Sequence, residues 1–386
     1  MSSPDITYED RQAVLDVLKT NYLSMGPKIE GFERSIAQFT GARHAIGVSS
    51  GTAGLHLCIR AANISAGDLV ITTPFSFVAS TNVILFEKAI PVFVDVDPFT
   101  GNIDPQGIQL AAEDLKSGDP SRRRQWLPKK YQDSKGELKG ILPVDVFGQP
   151  ADYDRIQKTA RSFDLITIED SCEALGAQYK NKNAGRLGEF GVFAFYPNKQ
   201  ITTGEGGMVI TDSDAYAQTM RALRNQGRAV GDTWLQHTLL GYNYRLDELS
   251  AALGASQMAR FDQVLVDRQK VADWYNQRLS RIDGVEIPHV SKDTNRMSWF
   301  VYVIRISESV DRDIVARKLK ERGIPVRPYF LPIHLQPYMA EMFGYKAGDY
   351  PVTEDLGRRS LALPFSGVMT DDQVDMVCGE LENCLR

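Results

Sequence analysis

The sequence predicts an α/β fold, with a mostly parallel sheet in a large first domain followed by a smaller α+β domain. Three observations predict it. Between Leu69 and Thr211, short apolar runs lack strict alternation, as strands covered on both faces do. Helical periodicity recurs between those runs, and such alternation over this length argues a parallel sheet clothed by helices. After about Ser250 the texture shifts to long charged helices and a single strand-like run, so a second unit follows. The division is placed at 1–255 and 256–386.

Taken in order, apolar spacing predicts a helix over Tyr8–Leu18 and another over Ile29–Phe39, ending before Gly41. Thr52–Ala62 carries the next helical pattern. Leu69–Thr72, Ile90–Val96, Gly140–Val146 and Leu165–Glu169 are predicted strands, with a helix over Asp152–Phe163 between the last two. Gly191–Phe195 and Met208–Thr211 add two more. Residues Ala111–Lys139 interrupt this rhythm and contain SGDPSRRRQWLPKKYQDSKGE. A solvated loop insertion is the plain reading of that stretch, because charge runs usually face water; its basic residues also suit a phosphate. Beyond Ser250, Asp262–Leu279 reads as a long helix, Met297–Ile306 as a strand, and Asp311–Arg322 and Asp371–Leu385 as helices.

Composition narrows the function classes. With 386 residues, 43% apolar and 24% charged, the chain is long enough for a large core and too ordinary for a disordered or fibrous class. Its 44 basic and 49 acidic residues leave a net charge of −5, which argues against a sequence-independent nucleic-acid binder. Cys58, Cys172, Cys378 and Cys384 lie far apart without zinc-type spacing, so neither a disulfide scaffold nor a metal site is expected. The polar, acidic start lacks the pattern of a signal peptide, and no apolar stretch approaches the roughly 20 residues that span a bilayer. A cytoplasmic protein without membrane partners is the expectation. No strand is followed by G-x-G-x-x-G, which argues against a dinucleotide-dependent dehydrogenase.

Three segments suit chemistry. Ser49–Gly54 (SSGTAG) precedes a predicted helix, where free N–H groups and the dipole favour an anion; an ordinary helix cap at Ser50 or Thr52 fits equally. Glu169 and Asp170 end an apolar strand, where ligands of open α/β sheets sit, although an acid there also caps helices. Lys199 stands between the apolar run Phe193–Tyr196 and the glycines Gly204, Gly206 and Gly207. An amine held against apolar surface gives up its proton more readily, and a neutral amine forms a Schiff base with an aldehyde. A surface lysine in a hairpin has the same composition, and the residues alone leave both readings open.

Blocks spread along the chain resemble the DegT-type (DegT/DnrJ/StrS) sugar aminotransferases, which are similar to fold-type I pyridoxal phosphate (PLP) enzymes. They are Ser24–Pro27, Ser50–Ala53, Pro74–Ala79, Pro91–Asp97, Gly148–Asp152, Glu169–Asp170, the Lys199 segment, Gly241–Arg245, His334–Pro337 and Leu363–Pro364. The resemblance implies a fold-type I transferase: a large PLP-binding domain and a smaller C-terminal one. It makes Lys199 the residue that binds PLP covalently and moves protons, and Asp170 the carboxylate facing the pyridine nitrogen. Phe77 becomes the aromatic that stacks on the ring, and Gly51 and Thr52 the phosphate cradle. Asn243 becomes the residue that reaches a neighbouring subunit's cofactor, which implies a homodimer with shared active sites. His334, Arg245 and Arg327 become candidate substrate contacts, whereas Trp299, His44, His56, His237 and His289 read as structural.

Two departures from the family pattern stand out. Ala194 replaces a common serine phosphate ligand, and Glu173 replaces a common glutamine or histidine. Glu173 is thereby a candidate cofactor or sugar contact. Some C4-aminating members resemble this chain in carrying glutamate there. The implied reaction moves an amino group from L-glutamate to a nucleotide-linked keto-deoxysugar, at C4 as in perosamine-type synthesis, or else at C3. A PLP-dependent sugar dehydratase or deoxygenase is the rival enzyme; relatives of that kind carry histidine where this chain has Lys199. A non-catalytic regulator of the same fold is the rival outside catalysis.

Overall fold

Two helices precede the sheet in the computed structural model, which describes residues 4–229, 231–233 and 235–385. The outermost ends of the two expected domains, residues 1–3 and 386, lie outside this range. α1 (Tyr8–Leu18) opens with a reciprocal cap between Thr7 and Asp10. α2 (Pro27–Thr40) has no side-chain cap of its own. Glu248 supplies one from far along the chain, accepting from the N–H groups of Gly26, Lys28 and Ile29 at 3.0, 2.8 and 3.0 Å. A carboxylate at this end meets both the orphan donors and the positive dipole, and bonds to charged groups are worth about 1.5–3 kcal/mol each. The glycine in Ser24–Pro27 follows from this, because a Cβ at Gly26 would lie 2.8 Å from Glu248 Oε2.

The central elements are β1 (His44–Val48), α3 (Gly51–Ala61), β2 (Leu69–Thr72), α4 (Ala79–Phe86), β3 (Ile90–Phe93), α5 (Pro105–Lys116), α6 (Pro120–Arg124) and β4 (Leu138–Leu142). Next come α7 (Tyr153–Phe163), β5 (Ile166–Asp170), β6 (Gln178–Tyr179), β7 (Lys182–Asn183), β8 (Phe190–Ala194) and β9 (Gly207–Thr211). Seven strands form one sheet in the order β1-β9-β8-β5-β4-β2-β3. β8, β5, β4, β2 and β3 pair in parallel, and β9 alone runs the other way, antiparallel to both β1 and β8. The sheet is mostly parallel, as predicted. Successive strand residues bury themselves on opposite faces. Val70, Leu142 and Val192 pack with α3, whereas Leu69, Ile71 and Ile141 pack with α5 and α7. All carboxyl ends of the parallel strands therefore open on one edge.

The rest comprises α8 (Asp214–Arg224), α9 (Glu248–Met258), α10 (Phe261–Leu279), β10 (Val285–Glu286), β11 (Thr294–Arg296), β12 (Tyr302–Ile306), α11 (Arg312–Glu321) and β13 (Arg327–Pro328). α12 (Pro337–Phe343), α13 (Pro351–Arg359), β14 (Ser360–Leu363) and α14 (Asp371–Leu385) complete it. β10-β12-β14-β13 make a second, antiparallel sheet. Residues of α10, α11 and α14 bury its apolar face, together with Trp299.

Residue 255 lies in α9, and Ile333, Met339, Phe343 and Tyr345 pack in the core of the large sheet. Two expectations need correction. The segment Ala111–Lys139 is not a loop throughout, since it holds the end of α5, α6 and the start of β4. Arg123 turns inward there and donates to the carbonyls of Leu115, Ser134 and Gly136, while Trp126 Nε1 donates to Asp114 at 2.8 Å. The run Met297–Ile306 is a strand only from Tyr302 onward, because Trp299 takes a φ of +49°. β1 was not expected from the sequence at all.

Candidate active site

Lys199 lies in the turn between β8 and β9. Its backbone N–H donates to Tyr196 O at 2.9 Å. Its carbonyl accepts from Arg268 Nη2 at 3.0 Å, and Arg268 Nη1 donates to Trp299 O at 2.9 Å. Arg268, on α10, thus ties the lysine turn to the chain that carries Phe300. Burial pulls its guanidinium down to about 10, so it stays charged at neutral pH. The Lys199 side chain is 13% exposed, with Nζ 3.6 Å from Glu173 Oε1 and 3.9 Å from the centre of the Phe300 ring. The sequence offered only a charged stretch from Arg260 to Arg268, which does not single out Arg268.

Asp170 ends β5 on the same edge. Oδ2 accepts from Ser80 Oγ at 2.7 Å and Oδ1 from Cys172 N at 3.1 Å. Ser76 Oγ stands 3.0 Å behind Ser80 Oγ. Three residues after Asp170, Glu173 is buried and accepts from Phe147 N at 2.9 Å. Burial raises the Glu173 carboxyl above its ordinary range, and the Lys199 ammonium opposes that shift. The Cys172 thiol is pushed well up by burial and by the Asp170 charge, so it remains protonated.

The start of α3 abuts these strand ends. A Cβ at Gly51 would lie 2.7 Å from Ala194 Cβ and 2.8 Å from Cys172 Sγ, so only glycine lets the helix approach β8 this closely. Ser50 Oγ caps Ala53 N at 3.0 Å. The first N–H groups of a helix have no acceptor within it, which leaves those of Gly51 and Thr52 for an anion. At Ala194 there is no hydroxyl, and the Thr52 hydroxyl stands beside these N–H groups instead. Phe77, in the loop after β2, is 64% exposed and presents its ring to solvent.

The expected substrate residues separate. Arg327, on β13, is exposed and lines a cavity of about 220 Å³ together with Tyr196, Asn198, Phe300 and Tyr329, beside Lys199. Arg245 donates to Asn225 Oδ1 at 3.0 Å, in a turn whose Asn243 is exposed. His334 differs from the expectation of a sugar or diphosphate contact. It has no exposed surface, its Nε2 lies 3.0 Å from Glu354 Oε1, and Tyr350 packs on its ring. Burial also holds its imidazole pKa down. Another cavity, about 730 Å³, lies between the end of β3 and residues 124–132. His56 is structural, held between Tyr244 and Glu87.

These groups fit PLP. The amine of Lys199, the buried carboxylate of Asp170, the N–H groups at the start of α3 and the exposed ring of Phe77 all stand at one strand edge. The profile of the DegT/DnrJ/EryC1/StrS aminotransferase family matches residues 4–382. The chain is 35% identical over 389 residues to a GDP-perosamine synthase of Caulobacter vibrioides, covering 100% of this chain and 98% of the relative. Among solved structures, a DegT DnrJ EryC1 StrS aminotransferase from Brucella abortus matches with TM-score 0.87 and 29% identity, covering 97% and 95% of the two chains. Helicobacter pylori PseC, an aminotransferase involved in the biosynthesis of pseudoaminic acid, matches with TM-score 0.87 and 27% identity over 99% and 98%.

Proposed function

We propose that this chain, a sugar aminotransferase belonging to the DegT/DnrJ/EryC1/StrS aminotransferase family, moves an amino group from L-glutamate to C4 of a nucleotide-linked keto-deoxysugar. It does so with PLP bound covalently to Lys199, as a cytoplasmic homodimer. The observation that carries this reading is the single strand edge shared by Lys199 Nζ, Asp170 and the start of α3. When bound, PLP supplies an electron sink that acidifies the carbon bearing the amine. Lys199 Nζ would take the proton from that carbon and return it two bonds away, on the far side of the nitrogen. Asp170 accepts the ring N–H and keeps the nitrogen protonated. Gly51 and Thr52 N–H groups bind the phosphate, and Phe77 stacks on the ring. Glu173 Oε1 faces Nζ and the sugar position, and Arg327 offers a guanidinium to a carboxylate or diphosphate at the mouth. His334 is left out of this set, because its side chain is enclosed.

Glu173 and the perosamine-synthase relative support amination at C4 over C3. The test is product analysis with purified protein, PLP, L-glutamate and a panel of nucleotide 3-keto and 4-keto sugars. The expected result is one 2-oxoglutarate per 4-amino sugar, with ping-pong kinetics. A 3-amino product overturns the position. Sugar dehydration without glutamate consumption selects the rival enzyme, and no turnover of either kind selects the regulator.

The dimer has its own support. Leu235, Leu239 and Leu240 are 81%, 41% and 80% exposed shortly before Asn243, the texture of a surface that another chain covers. Asn243, exposed beside them, then bonds the phosphate in the second copy. Asn243→Ala is expected to weaken PLP affinity by roughly tenfold in equilibrium dialysis, the loss of about one charged hydrogen bond. An unchanged affinity removes this role.

A further inference from the structure

Behind Asp170 lies a cluster whose hydrogens do not add up if every acid is ionised. Ser171 Oγ is 2.7 Å from Asp145 Oδ2 and 2.8 Å from Glu169 Oε1, and all three residues are fully buried. A hydroxyl carries one hydrogen, so it donates to only one of these oxygens. The other contact also needs a hydrogen, and a carboxyl has to provide it. Glu169 accepts from the N–H groups of Gly185, Leu187 and Gly188, a donor set that suits a full negative charge. Asp145 Oδ1 accepts from Ala151 N and Tyr153 OH, whereas Oδ2 faces Ser171.

We infer that Asp145 is a neutral carboxylic acid whose Oδ2–H donates to Ser171 Oγ, that Ser171 donates to the Glu169 carboxylate, and that this singly charged clamp positions Asp170. The backbone makes the link to Asp170. Asp145 N donates to Asp170 O at 3.0 Å, and Asp170 N donates to Pro143 O at 3.0 Å. With Ser171 gripped on one side and residue 145 on the other, Asp170 is held from both directions. Burial raises both carboxyls, but the N–H groups of Gly185 and Leu187 oppose the shift at Glu169, whereas the Glu169 charge adds to it at Asp145, which is pushed well up. The titratable groups facing it are Glu169 on β5 and Tyr153 on α7, both acids, with Asp170 next along β5. The positioning role rests on the proposed contact between Asp170 and PLP; the location of the proton does not.

The test compares Asp145→Asn, Asp145→Ala and Glu169→Gln in the full chain. An amide at 145 keeps the shape, donates to Ser171 and never ionises. A carboxyl whose folded pKa is raised stabilises the fold fully below its unfolded pKa, and that stability is lost as pH rises toward the folded value. Asp145→Asn is therefore expected to melt no lower than the parent, with the gap in its favour widening from about pH 5 to about pH 8. Glu169→Gln turns an NH₂ toward backbone N–H donors and is expected to melt lower. In infrared spectra at about pH 8, the parent shows the carbonyl stretch of an un-ionised carboxyl, and Asp145→Asn lacks it. PLP affinity falls roughly tenfold in Asp145→Ala and returns in Asp145→Asn. A lower-melting Asp145→Asn beside an unperturbed Glu169→Gln, or no such infrared band, overturns the protonation. Parental PLP affinity in Asp145→Ala overturns the positioning. Failure of the parent to bind PLP sinks the cofactor reading and leaves the infrared and melting tests of the proton standing.

Discussion

Lys199→Ala is expected to lose turnover by about four orders of magnitude or more, together with the visible absorbance of lysine-bound cofactor. Two losses combine in this estimate. Proton transfer by a positioned side chain is worth about 10²–10⁴-fold, and loss of the covalent attachment adds to it. The backbone of the turn survives the change, because its anchors are the Tyr196 carbonyl and Arg268, neither of which touches Nζ. The defect is thus chemical rather than a collapsed site, and a small primary amine added to the variant is expected to restore part of the proton transfer. The removed ammonium also leaves the buried Glu173 carboxyl without its 3.6 Å partner. That carboxyl then takes a proton more readily, since burial and the Asp170 charge both raise it and only the Phe147 N–H still opposes them. Retained turnover and a retained visible band in Lys199→Ala would sink the assignment of Lys199.

How much of this was legible beforehand follows from what each segment's residues report. β2 occupies Leu69–Thr72, the predicted run, because four consecutive apolar or β-branched residues between polar turns admit little else. β1 escaped notice because His44–Val48 contains a glycine and a histidine and runs straight into the small residues of α3. α9 escaped because a helix of Ala, Gly and Ser has no apolar stripe to count. Lys199 and Asp170 are marked in the sequence only as a lysine before a glycine cluster and an acid at a strand end, and their roles, like that of Glu173, are what the family resemblance implies. Arg268, Ser80 and Asp145 carry no such mark, because their roles depend on which distant element meets them. His334 is a different case. A histidine among prolines and aromatics resembles a binding loop, whereas the structure encloses the side chain and sets its Nε2 against Glu354 of α13.

Asp170→Asn isolates charge from shape at the other end of the cofactor position. The carboxylate oxygens accept from two different donors, Cys172 N and Ser80 Oγ. In the amide, Oδ1 keeps the bond from Cys172 N, while Nδ2 meets a serine hydroxyl that can rotate to accept and hand its own hydrogen to Ser76 Oγ, 3.0 Å away. The pocket is expected to hold its geometry. The variant lacks the negative charge proposed to face the ring nitrogen, without which that nitrogen would lose its proton and draw electrons less strongly. Removing one such electrostatic partner costs about 2.7–4 kcal/mol of transition-state stabilisation, or roughly 10²–10³-fold in kcat. Asp170→Asn is therefore expected to keep the visible absorbance of lysine-bound cofactor and lose most of its turnover, whereas Lys199→Ala loses both. Melting temperature close to the parent, with that split between spectrum and rate, identifies Asp170 as the charge behind the ring. Turnover within tenfold of the parent would mean that another group protonates the nitrogen, and Asp170 would then keep only its role in the turn that carries Cys172 and Glu173.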